Sequence, residues 1–185
     1  MALRVISGTA GGLLLKSPKR YLLRPTQDRI RQVIFSSLAE RIPDARVLDL
    51  YAGTGSFGIE ALSRGAVSAT FVEKETEAVQ CIRDNLAHCH LQGDVRPGDA
   101  LLFLEKPPAE RYDIIFADPP YVKSRGALDD DALLGKIATF LAPEGLFIWE
   151  HFAERTLQNS PDWEVIRHRN YGETGLSFLR YIRKN

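Results

Sequence analysis

Cysteine, methionine and tryptophan are scarce in this 185-residue chain, with two, one and two copies. Two cysteines exclude a disulfide scaffold and any zinc centre built from four thiolates. Cys81 and Cys89 fall in one predicted helix, about 12 Å apart at a rise of roughly 1.5 Å per residue, too far for a bridge. Both read as reduced thiols. Their neighbours His88 and His90 point in other directions around the same helix and no second ligand cluster exists, so no metal is expected. Apolar runs that approach membrane-spanning length are missing, as is the layout of a signal peptide, so no membrane association and a cytoplasmic location are expected. With 44% apolar and 26% charged residues, 185 residues suffice for one globular domain with a sizeable core, expected to be a monomer.

Net charge is also absent, since 24 basic residues balance 24 acidic ones, but the balance is uneven along the chain. Residues 1–31 carry seven Lys or Arg against Asp28, for +6; residues 163–185 carry five against Glu164 and Glu173, for +3. The middle is therefore −9. Basic ends around an acidic middle suggest a polyanionic partner, because clustered Lys and Arg neutralise phosphates and release counterions. The plainer alternative is a solvated surface whose charges happen to be segregated.

The chain is organised around Val47 to Gly58, VLDLYAGTGSFG. An apolar strand breaks into a glycine-rich turn and a helical pattern follows at Phe57, Ile59, Ala61 and Leu62. In an open α/β sheet such a turn lies at the carboxyl end of the strand, where ligands bind and glycines let the backbone approach them. Gly53, Gly55 and Gly58 also match the dinucleotide fingerprint GxGxxG, with Glu73 near the offset of a ribose-binding acid, and a match of this kind alone is weak. A second buried strand, Tyr112 to Ala117, ends in Asp118-Pro119-Pro120-Tyr121, which has no role in hydride transfer. Together the two motifs resemble S-adenosylmethionine-dependent methyltransferases that modify exocyclic amino groups.

Before the glycine turn, Leu3–Ser7 and Leu13–Ser17 read as an N-terminal β-hairpin beside the main sheet. Thr26 is expected to cap a helix that carries Ile30, Val33, Ile34 and Leu38 on its core face and ends at Pro43. Residues 1–42 thus form an extension of a core at 46–185. In the core, strands are expected at 46–51, 68–73, 94–96, 112–117 and 145–150, and helices at 56–64, 75–90, about 100–105 and 129–141. That alternation implies a mostly parallel α/β sheet with helices on both faces. Trp163–Arg169 and Leu176–Ile182 look like a hairpin joined through Asn170–Gly175. An antiparallel last strand, making the sheet a Rossmann-like class I methyltransferase sheet, is implied by the resemblance.

Acids stand at the ends of three successive strands and converge on one crevice. Asp49 is a candidate for the ammonium of S-adenosylmethionine, through the loop or an ordered water, with Tyr51, Ala52, Gly53, Thr54, Gly55 and Gly58 beside the methionine part. Glu73, followed by Lys74, is a candidate for both ribose hydroxyls, and Asp99-Ala100-Leu101 for the adenine, with its amino group on Asp99. Each acid taken singly also suits an ordinary turn or cap, and their joint placement is what favours binding.

Asp118, Pro119, Pro120 and Tyr121 are the candidate catalytic residues. An exocyclic purine amine is a poor nucleophile because its lone pair is delocalised into the ring. Two prolines fix φ, lack N–H groups and bias the residue before each toward extended backbone, which makes a rigid turn. Such a turn can aim the Asp118 carboxylate and the Pro119 carbonyl at the two amine hydrogens, with Tyr121 stacked on the base. The transfer is then an in-line displacement in which positioning supplies much of the acceleration and no metal is required. A base inside structured nucleic acid cannot reach such a pocket unless it is unpaired or flipped out. Lys123 and Arg125 can grip neighbouring phosphates, and Arg4, Lys16, Lys19, Arg20, Arg24 and Arg29 extend that surface. His151 and His168 read as surface or packing residues.

LRPTQDRIRQVIFSSL, VLDLYAGTGSFGIEALSRGA, DPPY, FIWEH and NYGETGLSFLR follow in the order and spacing of the bacterial small-subunit (16S) ribosomal RNA guanine-N2 methyltransferases. The chain resembles that family over nearly its whole length. The resemblance implies transfer from S-adenosylmethionine to one guanosine of small-subunit ribosomal RNA, with the assembled small subunit as partner, and it implies that Thr26 and its neighbours close over the cofactor. One departure stands out: the family's hairpin carries Arg or Lys around its turn, where this chain has Gly11, Gly12, Leu13 and Leu14. Competing acceptors are adenine N6 in DNA and a protein glutamine amide, although DNA enzymes add a recognition domain for which no residues are left. A non-catalytic RNA-binding assembly factor that keeps a cofactor pocket is the alternative of another class.

Overall fold

A computed structural model describes residues 2–18, 25–119, 127–154 and 161–183, including side chains for all of these except 25–27 and 127–131. Its elements run α1 (Pro25–Ser37), β1 (Arg46–Leu50), α2 (Ser56–Ser63), β2 (Ser68–Glu73), α3 (Thr76–His88), β3 (Asp94–Pro97), α4 (Ala100–Phe103), β4 (Tyr112–Ala117), α5 (Ala127–Phe140), β5 (Leu141–Phe152), β6 (Trp163–Tyr171) and β7 (Thr174–Tyr181). The seven strands form one sheet in the order β3-β2-β1-β4-β5-β7-β6. Strands β1 to β5 pair in parallel, and β7 runs antiparallel to both β5 and β6. This is the Rossmann-like class I methyltransferase sheet.

Central strand β1 shows why the sheet forms here. Val47, Leu48, Asp49 and Leu50 are all buried, as expected of a parallel strand covered on both faces. Alternation sends Val47 toward Ile30, Ile34, Phe35 and Ile59 of α1 and α2, while Leu48 and Leu50 meet Leu133, Leu134, Ile137 and Phe140 of α5. Each fully buried large aliphatic side chain contributes about 1.5–3 kcal/mol. Phe57 of α2 stacks on Phe116 of β4 at 5.2 Å, and Phe35 of α1 lies 5.6 Å from the same ring. The glycine turn, the first helix and the strand that leads to Asp118 therefore share one aromatic cluster.

Strands β2 and β4 have the expected bounds; other elements differ for local reasons. Helix α1 starts at Pro25, which is preorganised for a first helical position, so Thr26 lies inside the first turn and is not the cap. It stops at Ser37, six residues before Pro43; the Ser37 hydroxyl donates to Val33 O at 2.8 Å, a back-bond that weakens a helix end. Helix α5 runs directly into β5, whose regular pairing with β4 begins only at Leu146 after Glu144 takes a φ of 61°. The β6–β7 ladder continues through Asn170–Gly175 and Tyr171–Thr174, which leaves Gly172-Glu173 as the whole turn, with Gly172 at a φ of 62°.

The expected N-terminal hairpin is present in minimal form: Arg4 bridges Leu14 antiparallel, and the amides of Val5, Leu15 and Gly12 donate to Leu13 O, Leu3 O and Val5 O at 3.0, 2.9 and 2.9 Å. Polar side chains of α2 and α3 pin this segment. The buried Glu60 carboxylate accepts the amides of Ile6 and Ser7 and pairs with Arg64. Ser63 accepts the Ala10 amide on Oγ and the Thr9 amide on its carbonyl. Asn85 accepts from the Lys16 amide and donates to both the Lys16 and Thr54 carbonyls. That last contact joins the segment to the glycine turn.

Candidate active site

Strand β1 ends and the backbone turns over at once. Tyr51, the next residue, adopts a left-handed φ of 57°, a conformation that costs a residue with a side chain about 1–2 kcal/mol. Gly53 and Gly55 follow at 55° and 76°. The Ala52 amide donates to Val72 O at 3.1 Å and the Gly55 amide to Ala52 O at 2.7 Å, which holds the turn against β2. Ala52, Gly53, Thr54 and Gly55 are buried and Tyr51 is half-buried.

Two carboxylates organise this turn from beneath. Asp49, 1% exposed, accepts the Gly58 amide at 3.0 Å. Burial pushes its pKa well above the usual carboxylate range; the Gly58 bond opposes that shift, and the charges of Glu73 and Asp118 add to it. Glu73 accepts the Gly53 amide on one oxygen at 2.8 Å and the Glu75 amide on the other at 2.9 Å. Each carboxylate oxygen has two acceptor directions, so a ligand hydroxyl can still be taken on either. The amides of Gly53, Gly55 and Gly58 are thus all engaged within the protein.

Gly58 has a packing role within the fold. A Cβ there would collide with Cε1 of the fully buried Phe71, so the missing side chain lets α2 lie close on β2. Asp99 caps α4, its Oδ1 accepting the amides of Leu101 and Leu102 at 2.9 and 3.2 Å. Its loop is drawn to the same strand end by the Gly98 amide, which donates to Glu73 O at 2.9 Å. Ala100 is buried, Leu101 half-buried, and Lys74 exposed.

On the other side of β1, Asp118 and Pro119 emerge half-buried from β4. Strand β1 lies between β2 and β4, so Asp49, Glu73 and Asp118 come together at the carboxyl ends of three neighbouring strands, and the Asp118 charge adds to the rise of the Asp49 pKa. Pro120, Tyr121, Lys123 and Arg125 lie outside the described residues, as do Lys19, Arg20, Arg24 and the Thr26 side chain. Arg4 and Arg29 are exposed; Lys16 is exposed with its ammonium 3.1 Å from Asp84. Arg31, counted in the basic end, is only 2% exposed and donates to Arg4 O and Asp28, so it adds nothing to a surface charge.

The sequence reading passed over Glu150 of FIWEH, 5% exposed on β5 beside Asp118. Burial and the Asp118 charge both push its carboxyl well above the usual range. Its signal was an acid within an otherwise apolar core strand. His151 is buried, with Ser177 Oγ 2.8 Å from its Nε2; the exposed His168 reaches the same hydroxyl at 2.9 Å. The two imidazoles tie β5, β7 and β6 together.

Comparison with known proteins identifies the family. The family model described as conserved hypothetical protein 95 matches residues 3–180. The chain belongs to this family. The chain is 36% identical over 174 residues to ribosomal RNA small subunit methyltransferase D of Escherichia coli K12, covering 92% of this chain and 86% of that protein. It is 34% identical over 185 residues to the putative rRNA methyltransferase YlbH of Bacillus subtilis, covering 96% and 98%. Among solved structures, the putative methyltransferase yhhF from Escherichia coli superposes with a TM-score of 0.86 at 32% identity over the whole of both chains.

Proposed function

We propose that this protein transfers a methyl group from S-adenosylmethionine to the exocyclic N2 amine of a guanosine in small-subunit (16S) ribosomal RNA, with the assembled small subunit as its partner. The observation that carries the cofactor is the crevice of Asp49, Glu73 and Asp118, in which burial and mutual repulsion raise the Asp49 pKa. Such a site favours a ligand that brings positive charge, and S-adenosylmethionine brings a sulfonium and an ammonium. A dinucleotide brings a pyrophosphate, which needs amide donors; the amides of Gly53, Gly55 and Gly58 already serve Glu73, Ala52 and Asp49. The acceptor rests on the relatives named as small-subunit rRNA methyltransferases and on the DPPY sequence.

When bound, S-adenosylmethionine supplies a methyl carbon on a positively charged sulfur that leaves as a neutral thioether. The protein's own residues do the rest. Asp49 and the Tyr51–Gly55 backbone hold the methionine end, Glu73 takes the ribose hydroxyls on its remaining acceptor directions, and Asp99 takes the adenine amino group. Asp118 and the Pro119 carbonyl accept the two amine hydrogens, which leaves the nitrogen lone pair facing the methyl carbon. As the N–C bond forms and the C–S bond breaks, the nitrogen becomes cationic, and Asp118 takes the proton it then releases. Tyr121 stacks on the base. Arg4, Lys16 and Arg29, with Lys19, Arg20, Arg24, Lys123 and Arg125, meet RNA phosphates.

The test is transfer of labelled methyl from S-adenosylmethionine to unmodified small subunits, naked ribosomal RNA and DNA in parallel, followed by nucleoside chromatography. Label in N2-methylguanosine from small subunits is the expected result. Methyladenine as the sole product, label confined to protein, or no label despite tight cofactor binding would overturn the proposal.

A further inference from the structure

Among the described residues four acids are buried: Asp49, Glu60, Glu73 and Glu150. The first three each accept at least one backbone amide, whereas among the described residues no donor reaches the Glu150 carboxyl. Its position follows from the β4–β5 ladder. Phe116 pairs with Ile148 and Ala117 with Trp149, the last rung; continuing that register by one residue past the end of β4 puts Asp118 opposite Glu150, on strands about 4.8 Å apart. Phe116 and Ile148 belong to the core on the α1–α2 face, while Ala117 and Trp149 belong to the opposite core. Alternation therefore turns Asp118 and Glu150 to the same face, away from His151. On the β7 side Glu150 meets the apolar Leu176, and on β1 Asp49 stands opposite Phe116, one same-face position before Asp118. Asp118 is the charged group among the described residues that acts on Glu150.

Two carboxyls on neighbouring strands and one face favour the state in which one of them is neutral, and the more deeply buried one is the better place for the proton. Glu150 is the deeper; Asp118 is half-buried at the crevice. We propose that Glu150 is a positioning residue for the acceptor site, donating the O–H of a neutral carboxyl to the Asp118 carboxylate and so holding one Asp118 oxygen toward the incoming amine. A carboxylate held by that bond has one orientation and is a weaker base, suited to taking the amine proton only after the methyl group has arrived. The inference rests on the methyl-transfer reading.

Its test measures kcat, KM and S-adenosylmethionine affinity for wild type, Glu150→Gln and Glu150→Ala across neutral and alkaline pH. Wild-type kcat falls at alkaline pH as Glu150 loses its proton and the pair becomes doubly anionic. Glu150→Ala lowers kcat by about 10²-fold, while cofactor affinity, which also reports folding, changes by less than about two-fold. Glu150→Gln keeps a donor that does not titrate, so it recovers at least about ten-fold of that loss and its alkaline fall moves to higher pH. Wild-type kcat in Glu150→Ala, or an unchanged alkaline fall in Glu150→Gln, overturns the inference; the Gln profile alone decides if the Ala variant does not fold. Absence of transfer by the wild type would instead sink the functional proposal.

Discussion

The two ends of the crevice use the same functional group differently. At the β1–β2 end, Asp49 and Glu73 accept the amides of Gly58, Gly53 and Glu75, so their carboxylates build the turn as well as border it. At the β4–β5 end, Glu150 accepts no amide among the described residues, and burial together with the charge of Asp118 raises its pKa. The contrast separates acids that shape backbone from acids that are left for chemistry. Burial raises both Asp49 and Glu150, but a hydrogen bond to the charged form offsets part of the shift only at Asp49.

The sharpest way to break this contrast is Asp118→Ala. Transfer should fall by roughly 10²- to 10⁴-fold, while S-adenosylmethionine affinity, measured by calorimetry, stays near wild type. Activity that survives without the carboxylate would remove the chemical role from the β4–β5 end. At the other end, Gly58→Ala should lower stability by about 1–3 kcal/mol in urea denaturation, because the new methyl meets a Phe71 ring that is fully buried. Glu73→Gln leaves one carbonyl oxygen for two amides, so either Gly53 or Glu75 loses its acceptor, at about 1–3 kcal/mol. Weaker cofactor binding with little change in kcat at saturation should accompany it; a kcat defect alone would assign Glu73 to the chemistry. The smallest effect is a pH slope. Glu150 has a folded pKa above its ordinary value, so from about pH 4.3 upward the folded state holds a proton that the unfolded chain has released. Stability contributed by this group therefore falls as pH rises toward the folded pKa, by at most about 1.4 kcal/mol per pH unit. Glu150→Gln should flatten that part of the curve, and a variant curve parallel to wild type would place a charged Glu150 in the folded protein.

What could be read before the structure followed from short-range pattern. Strands β2 and β4 are apolar runs bounded by turns, and local periodicity sets their limits. That Asp49, Glu73 and Asp99 stand at neighbouring strand ends was legible because successive parallel strands finish at one edge of the sheet. Features that depend on distant partners were not. A local pattern at residues 3–17 suggested the hairpin, but not that Glu60, Ser63 and Asn85, more than 50 residues away, hold it in place. Gly58 matched a ligand-binding fingerprint, whereas its contact with the Phe71 ring is visible only once α2 is laid on β2. Arg31 looked like surface charge because its helix pattern does not reveal that the N-terminal segment covers it. Glu150 stood in plain view inside FIWEH; its neighbour Asp118 is set by strand order, which places β4 beside β5.

The selection of a cationic cofactor by the carboxylate crevice is the central claim, and calorimetric titration of the wild-type protein with S-adenosylmethionine, S-adenosylhomocysteine and NAD tests it most directly. Saturable binding of the first two with no heat from NAD is the predicted result. NAD binding with an affinity equal to that of S-adenosylmethionine would contradict it, since a pyrophosphate would then be finding donors where the glycine amides are already engaged.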